Sequence, residues 1–143
     1  MAYLLDVNVL LALSWPAHEF HAKVQRWFAG NAVKGWATCP IVETGFVRIV
    51  SNPAFSPHAV SPAEALAALR ITLRHPAHQF WADDISVSDG MGNLGIRILG
   101  HQQITDAYLL ALAMHRRGKV ATLDKKLVGL LEGNNERSHV ELI

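Results

Sequence analysis

The sequence predicts an α/β fold built on a parallel sheet with helices on both faces. Three observations predict it. Short apolar runs alternate with longer segments of helical periodicity along the whole chain, the pattern of strands joined by helical crossovers. Half of the 143 residues are apolar and 17% are charged, against about 25% charged in an average globular domain, which excludes a disordered chain. No repeat or low-complexity tract breaks the pattern, and the length suits one core, so a single domain over residues 1–143 is expected.

Each element has a local reason. Residues 3–7, YLLDV, read as the first strand and pass directly into VLLALSW, a short helix stopped by Pro16. Residues 18–29 place Phe20, Val24, Trp27 and Phe28 at helical spacing, with Gly30 and Asn31 as the stop. GWATC at 35–39 is the second strand; Pro40 opens the helix IVETGFVRIVS and Asn52–Pro53 closes it. A loop rich in Pro and Ser ends at Ser61–Pro62–Ala63–Glu64, a helix start with Ser at the N-cap, Pro first and Glu third, and EALAALRITLRH follows. QFWAD is the third strand, whereas residues 83–103 are polar, rich in glycine and carry no assignable element. From Thr105, DAYLLALAMHRRG is a helix with a basic last turn and Gly118 as its expected cap. KVATL, DKKLVGLLEG and HVELI close the chain as strand, helix and strand. Right-handed crossovers would align all strand C-termini along one edge, where ligands sit in such folds.

Charge and cysteine narrow the setting. Thirteen Lys and Arg against twelve Asp and Glu leave a net charge of +1, so nucleic-acid binding would have to come from local arrangement. Cys39 is the single cysteine and reads as a buried small residue in a reducing compartment. The N-terminal apolar stretch has no basic leader and is interrupted by Asp6 and Asn8, so neither a signal peptide nor a membrane span is expected, and the cytoplasm is the expected location.

The acids carry the functional signal. Eight of the twelve, Glu136 and Asp83 among them, sit beside polar, turn or chain-end residues or on exposed helix faces, and a solvated surface explains them. Asp6, Glu43, Asp106 and Asp124 instead lie in apolar surroundings, each at a predicted strand end or in the first turns of a helix leaving the same sheet edge. Ordinary readings exist for three: Asp124 as an N-cap, Asp106 as a first-turn acid, Glu43 as the partner of Arg48 or another base. Asp6, in the N-terminal strand, has no cap to make. Four converging carboxylates repel one another unless protonated, paired or bound to a cation. An all-oxygen cluster selects a hard cation such as Mg²⁺ or Mn²⁺, which neutralises a phosphodiester and acidifies a water for in-line attack.

The ordered motifs DVNVLLAL, ETGFVRIVSNP, ITDAYLLALA and ATLDKKL, with the HEFHAKVQRWF and SPAEALAAL helices and the QFWADD strand, resemble the PIN-domain ribonucleases, in particular the VapC-type toxins of bacterial toxin–antitoxin pairs. The resemblance implies a three-layer α/β/α sandwich, usually a homodimer, whose acidic pocket binds Mg²⁺ or Mn²⁺ and cuts RNA. Carried over by motif, Asp6 and Asp106 are the principal metal ligands, Glu43 is the third acid, Asp124 is the fourth, and Asn8 orients Asp6 or a metal-bound water. It also implies a small cognate antitoxin that lies across a hydrophobic groove and places a basic side chain in the pocket. Residues 90–100, GMGNLGIRILG, depart from the family pattern in their glycine content.

Rival readings are weaker. Gly90, Gly92 and Gly95 spell G-x-G-x-x-G, but the strand and long helix that a dinucleotide site needs are missing, and a flexible loop is expected. His18 and His21, three apart on a predicted helix, lack the partners of a structural zinc site and read as helix residues near the pocket mouth. Arg48, Arg97, Arg116, Arg117, Lys119, Lys125 and Lys126 are candidates for phosphate contacts, with helix-dipole complementation as the ordinary reading of Arg116, Arg117 and Lys119. Trp27, Phe28, Phe46 and Trp81 are expected in the core, and Trp15 and Trp36 nearer the surface. Alternatives to an RNA-cutting toxin are a regulatory PIN-like domain that binds RNA or a partner without cutting, and a nuclease for DNA or structured substrates.

Overall fold

β1 (Tyr3–Leu5) is apolar on both faces and almost completely buried, which is what a central parallel strand requires. In the computed structural model, which describes residues 1–94 and 100–143, it is flanked by β2 (Trp36–Thr38) and then β3 (His78–Phe80) on one side, and by β4 (Lys119–Thr122) and then β5 (Val140–Leu142) on the other. All four pairings are parallel, and Leu4 lies beside both Ala37 and Val120. The chain therefore builds outward from β1 in one direction, then returns to build in the other. That reversal places a topological switch between the C-terminal ends of β1 and β4, where crossovers diverge and leave a crevice.

Two helical layers cover the sheet, giving the three-layer α/β/α sandwich. In one, α1 (Val7–Ser14) contacts α2 (His21–Asn31), α3 (Pro40–Val50) and α4 (Pro62–Leu73). The other is led by α6 (Ile104–His115), which packs on β1 and β4 and carries α5 (Val87–Gly92). α7 (Lys125–Leu131) joins β4 to a short 3₁₀ segment, Asn135–His139, ahead of β5. α4 starts with the expected capping box: Ser61 accepts from the Glu64 amide and Glu64 accepts from the Ser61 amide. Gly45 lets α3 approach α1 closely, because a Cβ there would stand 2.8 Å from Val7 Cγ2. Among the described residues no helix is long and apolar enough to cross a membrane.

The structure corrects several expectations. Asp6 does not continue β1: it is the N-cap of α1, so it has a cap to make. Residues 83–103 contain α5, capped by Ser86, and a 3₁₀ turn at His101–Gln103 that leads into α6. Gly90 and Gly92 thus lie in a short helix rather than a loop, while Gly95 and Arg97 fall outside the described residues. At the end of α6 the left-handed residue is Arg117 (φ 56°), not Gly118. The Gly118 amide donates to Ala113 and the Arg117 amide to Met114, a Schellman closure, and Gly118 is needed for space: a Cβ there would meet Trp81 at 2.6 Å and the Ala2 carbonyl at 2.7 Å. Trp36 is buried in the core, as are Phe46 and Trp81, whereas Trp15, Trp27 and Phe28 are half-buried against it. Glu136 is buried rather than solvated, at 8% exposure.

Candidate functional site

Asp6 stands where β1 ends and α1 begins. Its amide donates to the Ala121 carbonyl at 3.1 Å, which continues the β1–β4 ladder by one residue. Since Leu5 is registered with Ala121, Asp6 falls beside Thr122. Its Oδ1 accepts the Val9 amide at 2.8 Å and its Oδ2 accepts the Thr122 hydroxyl. The Thr122 oxygen in turn accepts the Asp124 amide at 3.0 Å. Asp124 caps α7 by accepting from the Lys126 amide at 2.8 Å. Asp106 enters from the first turn of α6, on the element packed over β1 and β4.

The electrostatics bind these three aspartates into one group. Burial raises the Asp6 carboxyl from 3.8 to about 6; the hydrogen bonds from Thr122 and Val9 oppose the rise, and the charges of Asp106 and Asp124 add to it. Asp106 is also raised, first by burial and then by Asp124. The aspartates lie within electrostatic reach of one another but do not form a closed cage: among the described residues, no three His, Cys, Asp or Glu side chains stand close enough to hold a metal ion as placed. The chemistry of the donor set still fits a hard divalent cation, since it consists of neighbouring carboxylates, of which Asp6 and Asp106 have raised proton affinity.

Glu43 stands apart from them. It lies in the first turn of α3, and its Oε1 accepts the Thr38 hydroxyl at 2.6 Å from the end of β2. It does not pair with Arg48, and the acids whose charges act most on Asp6 are Asp106 and Asp124. Asn8 is exposed in the first turn of α1 and lines a cavity of about 360 Å³ with His18, Glu19, Phe20, Leu123 and Asp124. Asp6 is oriented by Val9 and Thr122 rather than by Asn8. His18 precedes α2, its Nδ1 accepting the Phe20 amide, while His21 opens the helix and its Nδ1 donates to the Ala12 carbonyl at 2.6 Å. The two therefore do not share a helix face.

The basic residues divide by position. Lys125 and Lys126 open α7 beside Asp124 and are exposed. Arg116 is carried to the far end of α6, about 15 Å from Asp106 at 1.5 Å per residue, and Lys119 opens β4 just beyond it. There Arg116 pairs with Asp84 at 2.8 Å, and Lys119 lies 4.0 Å from Glu141. Cys39 is fully buried, and its thiol is pushed up to about 12 by that burial, so it is chemically quiet. Thr122 and Thr38 escaped the sequence reading; the signal for Thr122 was its place two residues before Asp124, on the strand facing Asp6.

A parallel α/β sandwich with aspartates gathered at its topological switch defines a class of acidic-edge α/β domains. The PIN domain family model matches residues 3–130, and the chain belongs to that family. It is 42% identical over 140 residues to Ribonuclease VapC38 of Mycobacterium tuberculosis, covering 98% of this chain and 96% of that protein. Two solved structures share the fold at 14% identity. VapBC2 from Rickettsia felis, bound to a DNA fragment from its promoter, has a TM-score of 0.64 over 100% of this chain and 99% of the other. The Mycobacterium tuberculosis toxin VapC20, which cleaves the Sarcin-Ricin loop, has a TM-score of 0.62 over 92% and 98%.

Proposed function

We propose that the protein, as one domain over residues 1–143, is a metal-dependent endoribonuclease and the toxin of a toxin–antitoxin pair. The observation that carries this reading is the Asp6 carboxylate, buried beside Asp106 and Asp124 and not ion-paired with any Lys or Arg among the described residues. A cap alone gives no reason to bury the carboxylate beside two further acids, whereas a catalytic carboxylate there awaits a divalent ion and a phosphodiester. The names of the relatives support RNA as the substrate and a VapB-type protein as the partner. A homodimer and a cytoplasmic location are part of the proposal.

Asp6 and Asp106 would be the principal ligands of Mg²⁺ or Mn²⁺, with Glu43 as the third acid and Asp124 as the fourth. That ion supplies charge neutralisation at the scissile phosphate and acidity at a water. The protein's own contribution is positional. Val9 and Thr122 fix both oxygens of Asp6, so little reorganisation is needed when the charge arrives. Lys125 and Lys126 stand ready to meet the RNA backbone, and Asn8 faces the cavity beside Asp124.

The test is end-mapped cleavage of cellular RNA with and without EDTA, for the wild type and for Asp6→Asn and Asp106→Asn. Asparagine is itself a good N-cap, so the Asp6 variant should keep α1. Both variants are expected to lose cleavage and growth arrest while remaining folded. Persistent cleavage or toxicity in either would overturn the assignment.

A further inference from the structure

The edge strand β3 brings a histidine to the site that neither the acids nor the fold requires. His78 Nε2 lies 2.8 Å from Thr38 Oγ1, and the same hydroxyl oxygen lies 2.6 Å from Glu43 Oε1. Thr38 is fully buried, so water does not compete for its hydrogen bonds. A threonine hydroxyl has one proton to give, and a carboxylate oxygen can only accept. Thr38 therefore donates to Glu43 and must accept from His78, which requires the His78 proton on Nε2.

The surroundings hold this arrangement in place. The imidazole of His78 packs against the Trp36 indole with ring centroids 4.7 Å apart. Trp36 Nε1 donates to His75 Nδ1 at 3.1 Å, and the Ala77 amide donates to the same nitrogen, so the neighbouring histidine is committed elsewhere. Burial, followed by the nearness of His75, lowers the proton affinity of His78 and favours a neutral ring. Glu43 Oε2 has no partner among the described residues, so one oxygen is tied and the other is available.

We propose that His78, acting through Thr38, is a positioning residue that fixes the Glu43 carboxylate at the candidate site. Glu43 has three rotatable side-chain bonds and no ion-pair partner among the described residues. The relay supplies the orientation that packing does not, in the way outer-shell partners orient metal-binding carboxylates. The importance of that orientation rests on the nuclease reading above; the relay itself does not.

Two measurements test it. Long-range ¹H–¹⁵N NMR of the metal-free wild type should show neutral His78 as the Nε2–H tautomer, and Thr38→Val should release it into a tautomer mixture. A wild-type Nδ1–H tautomer would overturn the relay whether or not the protein cuts RNA. Mn²⁺ binding followed by electron paramagnetic resonance should weaken about tenfold in Thr38→Val and His78→Phe, with kcat falling and KM for RNA little changed. Thr38→Ser and His78→Gln, which restore the hydroxyl and the donor, should recover most of the loss. In a Glu43→Gln background, His78→Phe should add nothing. Wild-type Mn²⁺ affinity in both disruptive variants, or an undiminished His78→Phe effect without Glu43, would refute the proposal. Failure of the wild type to cleave RNA would count against the nuclease reading and leave the tautomer result to decide the relay.

Discussion

Thr122 donates its hydroxyl to Asp6 across the boundary between β1 and β4 while its oxygen accepts the Asp124 amide. One buried side chain thus ties together two acids that are far apart in sequence. Thr122→Val keeps the shape and removes both bonds, leaving a buried carboxylate oxygen and an amide unsatisfied. A loss of about 2 kcal/mol is expected in urea unfolding, against about 1 kcal/mol for Thr122→Ser, which loses only a methyl group. The Asp6 carboxyl, no longer opposed by that hydrogen bond, should move further up from about 6.

The pH dependence of stability should carry the mark of Asp6. Its carboxyl is raised from 3.8 to about 6 by burial, so between those values the folded protein holds a proton that the unfolded chain has released. Stability from this group is fully present below about pH 4 and is lost as pH rises through about 6, a swing of up to about 3 kcal/mol in metal-free protein. Asp6→Asn should remove the swing. By chemical denaturation in EDTA, the variant is expected to be the more stable protein at pH 7.5, with the difference closing towards pH 4.

Divalent cation should act in the opposite direction. Mg²⁺ or Mn²⁺ added at pH 7.5 is expected to raise the Tm of the wild type and leave Asp6→Asn nearly unmoved, because a ligand stabilises only the state that binds it. Equal shifts in the two proteins would place cation binding away from Asp6.

The contact between α1 and α3 gives a packing prediction. Gly45→Ala would drive a methyl to within 2.8 Å of Val7 Cγ2 and push apart the helices that begin at Asp6 and carry Glu43. A loss of about 1–3 kcal/mol is expected. Val7→Ala should relieve it, so the double variant should be more stable than the two single losses added together, a coupling that a double-mutant cycle reads directly.

At the far end of α6, Arg117 holds a left-handed conformation that costs a side-chain-bearing residue about 1 kcal/mol. Arg117→Gly is expected to raise Tm by a few degrees with no change in RNA cleavage, since the position lies away from the acidic edge. Gly118→Ala should do the reverse, because Trp81 and the Ala2 carbonyl already occupy the space.

Strands and helices were legible in the sequence wherever periodicity and punctuation agreed. YLL, WAT, KVAT and VEL are short, apolar or β-branched and bounded by turn formers, and Ser61 to Glu64 spelled out their own cap. Elements decided by tertiary contact were not legible. α5 contains two glycines in six residues and has no intrinsic preference to be helical. Four acids could be marked as misplaced from their apolar neighbours, but apolar flanks do not say how far side chains reach. Asp6, Asp106 and Asp124 interact, whereas Glu43 is held one strand over by Thr38. Thr122 and Thr38 read simply as strand formers, because nothing local shows what a strand residue faces. The basic run after Asp106 seemed close to the acid only because sequence distance ignores the length of the helix between them.

The placement of β1 between β2 and β4 also sets the order in which the site comes into being during synthesis. Its early neighbour arrives within forty residues, but the carbonyl of Ala121, the hydroxyl of Thr122 and the carboxylate of Asp124 are translated last but for one helix and a final strand. A chain still short of residue 119 can form β1, β2 and β3 yet has no strand to complete Asp6. The acidic edge is therefore assembled only once most of the chain has been made.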